Sequence, residues 1–137
     1  MDFMPAFRVC ASGLAAQRAK MDVIVSNLAN VNTTRTPEGG PYRRKSIVFS
    51  SEPVTGSFDD TLRMVKIEDI VEDKESVKMV VDPTHPDADS NGIVAMPDIN
   101  SITEMTNMIT ANRAYEACVS AFDATKNMAL KALELGK

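Results

Sequence analysis

The sequence predicts an α+β protein: long N- and C-terminal helices paired as a coiled-coil-like hairpin, with a small β-rich insert between them. Three observations point there. Of 34 charged residues, residues 2–31 hold five and residues 101–135 seven, whereas 35–98 hold 21. Six of the seven prolines lie between Pro37 and Pro97. Both charge-poor arms place apolar residues in alternating steps of three and four, the spacing of one helix face. The expected divisions are 1–34, 35–98 and 99–137.

In the first arm, Phe3, Phe7, Cys10, Leu14, Gln17, Met21, Ile24, Leu28 and Val31 form a heptad seam, with Gln17 its only polar member. Pro5 is tolerated because a first-turn N–H has no helical partner to lose. A helix over about residues 3–31 would be roughly 43 Å long at 1.5 Å per residue. Nothing that long is normally stable alone in water. Apolar residues off the seam, such as Val9, Ala11, Ala15, Ala16, Val23 and Val25, leave more surface than one partner helix covers. In a chain this short, the extra partners should be other subunits.

In the second arm, Ser101-Ile-Thr-Glu104 has the spacing of a capping box. Met105, Met108, Asn112, Tyr115, Val119, Phe122, Lys126, Ala129 and Leu133 follow as a stripe, and Gly136 stands where a helix ends. The two arms most simply pair with each other, antiparallel or parallel. Between them Tyr42–Phe49, Leu62–Val71, Val77–Val81 and Gly92–Met96 read as strands bounded by turn residues, forming one small sheet domain.

The chain of 137 residues carries a net charge of −4, against the basic surface of a nucleic-acid binder. Arg43-Arg44-Lys45 is too short a run to alter that and reads as a solvated strand end. No apolar run approaches the ~20 residues of a membrane span. The N-terminus lacks the basic and apolar regions of a secretory signal peptide. Cys10 and Cys118 read as free thiols. Composition alone points to the cytoplasm.

Chemistry is sparse. His85 is the only histidine and builds no recognisable metal or nucleophile site. Asp87-Ala-Asp89-Ser-Asn91-Gly92 matches the start of a calcium loop, but Asp98 stands where a bidentate Glu belongs, and Pro83 and Pro86 exclude the preceding helix. A turn capped by Asx side chains explains the same residues. Asp59-Asp60 and the Glu68, Asp69, Glu72, Asp73 group read as solvated acidic faces, not catalytic pairs. No catalytic residue, cofactor, metal or small-molecule substrate is expected.

Ser26-Asn-Leu-Ala-Asn-Val-Asn-Thr33 closes the first arm, because Asn and Thr side chains compete for backbone hydrogen bonds and favour helix ends. If this face meets a neighbouring subunit, the Asn27 and Asn30 amides must find partners there. Together with TRTPEGGPYRRK, and with DPTHPDADSNGIVAMPDIN before EMTNMITANRAYEA, this segment resembles the bacterial flagellar rod–hook axial family. The likeness spans nearly the whole chain. Ile93 and Cys118 depart from it, where an aromatic residue and an asparagine are usual.

The resemblance implies a structural, non-enzymatic subunit of the basal-body rod, the motility drive shaft crossing the periplasm. It implies terminal helices forming the inner core of a tube and an insert facing outward. Its partners would be other rod proteins and copies of itself in a helical assembly. Subunits would leave through the flagellar type III export apparatus without a cleaved signal peptide. Assembly contacts are expected at Phe3, Phe7, Leu14, Met21, Ile24, Asn27, Leu28, Asn30 and Val31 on the first helix. On the second they are expected at Met105, Met108, Asn112, Tyr115, Val119 and Phe122. A cytoplasmic helical adaptor or chaperone, and a calcium-binding module using Asp87, Asp89, Asn91 and Asp98, are the rival readings.

Overall fold

Both charge-poor arms are helices, as their spacing requires. A computed structural model describes residues 3–54 and 61–136. Its elements are α1 (Met4–Ala29), β1 (Lys45–Pro53), β2 (Arg63–Glu72), β3 (Val77–Val81), β4 (Ile93–Pro97) and α2 (Ser101–Leu135). Asp59 and Asp60 lie outside the described residues.

α1 carries Pro5 in its first turn and stops at the asparagine cluster. There the Asn30 amide donates to the Ser26 carbonyl at 2.8 Å and accepts from the Thr33 hydroxyl at 3.1 Å. These side chains satisfy groups that a continuing helix would have used. α2 begins differently from the expected capping box. Its cap is Asn100, whose side-chain oxygen accepts from the Ile102 and Thr103 N–H groups at 3.0 and 3.2 Å. Ser101 is already helical, and Glu104 turns inward instead of back to the cap.

The helices pair antiparallel. Phe7 meets Phe122 edge to face at 5.1 Å, and Asn27 meets Glu104. Between them the helices come close at Gly13, where a Cβ would lie 3.1 Å from Cys118 Sγ. The face of α2 toward α1 combines the heptad row Glu104, Ala111, Cys118, Thr125, Ala132 with the row Met108, Tyr115, Phe122, Ala129. The expected stripe held the second row but mixed it with Met105, Asn112, Val119, Lys126 and Leu133, all of which point to solvent. A hydrophobic criterion passes over Glu104, so the stripe starts one residue late and straddles two faces.

All four expected strands are present, but they form two separate antiparallel ribbons, β1–β2 and β3–β4, instead of one sheet. The longer ribbon has an irregularity at Val48/Phe49, where β2 carries an extra residue. It lies along α1. Lys45 at its base is held by Asn27, and the Val65 N–H donates to Ser12 Oγ at 3.1 Å. The fifteen helical steps from Ser12 to Asn27 rise ~22 Å, close to the ~20 Å of strand between Lys45 and Ser51, the partner of Val65. Ser76 joins the two ribbons: its hydroxyl accepts from the Arg44 N–H at 2.9 Å, and its carbonyl accepts from the Asp98 N–H at 2.8 Å.

Candidate assembly site

Where α1 ends, the chain turns into β1 and α2 begins, five side chains converge. Asn27 is 1% exposed. Its amide nitrogen donates to the Lys45 carbonyl at 2.9 Å and to Glu104 Oε2 at 3.0 Å. Its oxygen accepts from the Lys45 N–H at 2.9 Å and from the Tyr42 hydroxyl at 3.1 Å. An asparagine side chain has two donors and two acceptor positions, and all are used. The Tyr42 hydroxyl also shares a 3.0 Å hydrogen bond with Ser26 Oγ.

Glu104 is equally buried, at 1%. Its second oxygen accepts from Arg44 Nε and Nη2 at 2.9 and 2.7 Å. A buried carboxylate is expensive unless it is paired and hydrogen-bonded. Here three N–H donors from two different segments meet that cost. The chemistry is that of a joint: nothing in it is positioned to attack, transfer protons or hold a cofactor. The amides of Asn27 and Asn30, expected to seek a neighbouring subunit, find their partners inside the chain.

The acidic turn also has an internal explanation. Asp87 accepts from the Thr34 hydroxyl at 2.8 Å, and Asp89 takes the Asn91 N–H. His85 Nδ1 accepts from the Asp87 N–H at 3.1 Å. Gly92, at φ +72°, closes the turn in a conformation that side chains resist. The Asp82 carboxyl is held below its usual range, chiefly by the Thr84 hydroxyl. Among the described residues, no group of three or more His, Cys, Asp or Glu is arranged to hold a metal ion.

Among the expected contact residues, Phe7, Met108, Tyr115 and Phe122 lie on the facing sides of the helix pair, and Ile24 is buried beside them. Phe3 lines a hollow with Ala129, Ala132 and Leu133. Leu14, Met21, Leu28 and Val31 are half-buried. Met105, Asn112 and Val119 lie on the open side of α2. That side mixes threonines and charged residues with large apolar side chains, Ile102 being 76% exposed and Ile109 57% exposed. Sequence reasoning missed Tyr42, Arg44 and Glu104 as members of the joint. The available signal was Glu104 standing seven residues before Ala111, in register with the buried row.

Residues 7–35 match the family model described as "Flagella basal body rod protein". Residues 90–135 match "Flagellar basal body rod FlgEFG protein C-terminal". The chain is 42% identical to the flagellar basal-body rod protein FlgC of Bacillus subtilis, over 94% of this chain and 95% of the relative. It is 38% identical to FlgC of Borreliella burgdorferi, over 98% of each. Identity to FlgC of Salmonella typhimurium is 36% over the full length of both.

The chain belongs to the FlgC family of flagellar basal-body rod proteins. It is therefore a structural subunit of the basal-body rod and not an enzyme. The two matched segments meet at the joint: Asn27 lies in one and Glu104 in the other. Tyr42 and Arg44, which complete it, come from the intervening segment outside both matches. No helix among the described residues is long and apolar enough to cross a membrane.

Proposed function

We propose that this FlgC-family subunit stands in the proximal rod and polymerises with other rod proteins and with copies of itself into the shaft that transmits motor torque. The observation that carries this reading is the open face of α2. Ile102, Met105 and Ile109 are exposed together on the first turns of α2, and Val119 is exposed further along it, beyond the polar Asn112 and Glu116. An apolar surface of this kind is covered by a partner in most soluble proteins. A helix pair locked internally by Asn27, Arg44 and Glu104 can present that surface as a rigid edge. Contacts of one face with a different face on the next subunit propagate helically, without closing into a ring.

In this reading residues 1–34 and 99–137 make the core of the shaft and residues 35–98 the outer insert. The contact set comprises the α1 seam from Phe3 to Val31 together with Met105, Met108, Asn112, Tyr115, Val119 and Phe122. The subunit reaches its place through the flagellar type III export apparatus, without a cleaved signal peptide, and rests in the rod where it spans the periplasm.

Mass spectrometry of detergent-purified hook–basal bodies, with the cytosol alongside, tests the reading. The expected result is this chain at a fixed ratio to other rod subunits. Recovery from the cytosol alone sinks it. As a second arm, Leu28→Asp should abolish incorporation while leaving the insert folded.

A further inference from the structure

α2 is one helix built from two unlike stretches. Of its first ten residues, 101–110, seven are Ser, Ile, Thr or Asn, which lose side-chain freedom in a helix or compete for its backbone hydrogen bonds. From Ala111 to Leu135, 16 of the 25 residues are the strong helix formers Ala, Leu, Met, Arg, Lys or Glu, and seven of those are alanine. The exposed Thr106 and Thr110 hydroxyls donate back to the Ile102 and Thr106 carbonyls at 2.9 Å, an arrangement that slightly weakens a helix. The later stretch supports its own helix. The first stretch draws its helical stability from tertiary contact.

That contact is concentrated in one side chain. Among residues 101–110 only Glu104 is buried, whereas Ile102, Thr103, Met105, Thr106, Ile109 and Thr110 are exposed. Its carboxylate takes the Asn27 amide and two N–H groups of the Arg44 guanidinium. The half-buried Asn107 and Met108 add a smaller share, and the Asn100 cap supports the first turn alone. Ile99 before the stretch and Ala111 after it are both buried. A stretch released between those two fixed points unwinds locally and leaves the rest of α2 docked.

We infer that the start of α2 is a conditional helix, formed when Glu104 is seated on Asn27 and Arg44 and unwound when it is not. Both partners are placed without help from α2. The Tyr42 hydroxyl and the Lys45 backbone hold Asn27. Arg44 donates from Nη1 to Ser46 Oγ at 3.0 Å and from its backbone N–H to Ser76 Oγ at 2.9 Å. Residues 101–110 are therefore helical only in a chain whose insert has folded against the end of α1. Ile102, Met105 and Ile109 stand together because helical steps of three and four align them, and unwinding scatters them. The significance of this rests on the assembly reading of the open face. On that reading the joint acts as a checkpoint, and an unfinished subunit does not present the apolar patch to a neighbour.

Hydrogen–deuterium exchange on the full-length chain tests this in the subunit alone, so its outcome is separate from whether the chain is found in basal bodies. In Glu104→Ala the amides of residues 105–110 should exchange about tenfold faster or more, while those of 111–125 hold their rates. Adding Thr103→Ala, Thr106→Ala and Thr110→Ala raises helix propensity at three exposed positions outside the joint, and should return most of the lost protection. Unchanged exchange at 105–110 in Glu104→Ala overturns the inference, as does an equal acceleration along the whole of α2. Failure of the three alanines to restore protection overturns it too. Should Glu104→Ala lose its overall helical circular dichroism, the same measurements are made in Asn27→Ala under the same criteria. Loss of the helical signal in both variants also overturns it, because the joint would then hold the whole fold and not the start of one helix.

Discussion

Asn27 and Glu104 touch across 77 residues of sequence, amide nitrogen to carboxylate oxygen at 3.0 Å, with both side chains closed off from water. The contact ties the end of α1 to the start of α2. Replacing Asn27 with alanine removes four hydrogen bonds and leaves the Lys45 backbone and Glu104 short of partners. We expect a loss of about 2–4 kcal/mol in urea unfolding at an unchanged m-value. Asn27→Asp should cost more, since it sets a second carboxylate against Glu104 and cannot donate.

Arg44 and Glu104 should behave as a pair. Arg44→Met alone strands a buried carboxylate, which costs about 3–5 kcal/mol in a fully buried pair and less here, because the Arg44 side chain is 33% exposed. Combining it with Glu104→Leu should recover a large part of the loss. A double-mutant cycle from thermal melts measures the coupling, and strictly additive losses would contradict the arrangement.

Gln17 offers a stabilising change. Its Oε1 is buried without a partner among the described residues, so Gln17→Met, similar in length and free of an orphan acceptor, should gain about 1 kcal/mol. Differential scanning calorimetry would record a higher Tm, and a lower one would mean that the oxygen is satisfied in solution.

Gly13 is where α1 and α2 approach most tightly among the glycine positions of the helices. A leucine there must displace Cys118, already 3.1 Å from the first added carbon, and should cost about 1–3 kcal/mol through overpacking. Chemical denaturation of Gly13→Leu checks this, and adding Cys118→Ala should restore part of the loss.

Asp82 supplies a pH test. Its carboxyl titrates below its ordinary value of 3.8, chiefly because the Thr84 hydroxyl donates to the ionised form at 2.6 Å. A lowered folded-state value contributes stability above the ordinary value, lost as pH falls through the lowered one. Carbon-detected NMR titration should find the Asp82 midpoint moving up toward 3.8 in Thr84→Val.

The helices and strands were legible because their signals are local. Seven-residue spacing marks α1, alternating β-branched residues mark β1 to β4, and asparagines and prolines mark the ends. The joint was not, because a charged residue on a helix normally faces water. Glu104 breaks that rule only by virtue of Arg44, sixty residues away, and no periodicity reports a distant guanidinium. Separation of the insert into two ribbons was equally hidden. Ser76 links the ribbons by bridging Arg44 and Asp98, a choice of hydrogen bonds that strand composition does not specify.

α1 is flanked by α2 on one side and by the β1–β2 ribbon on another, whereas α2 is the longer helix, 35 residues against 26. With Phe7 beside Phe122, the last two turns of α2 run past nearly all of α1, and Leu130, Leu133 and Leu135 are left open. Amide hydrogens should therefore exchange with deuterium in a gradient along one continuous helix, slowest near Glu104 and Ala111 and fastest beyond Ala129. The two ends of α2 share a secondary structure but not a lifetime.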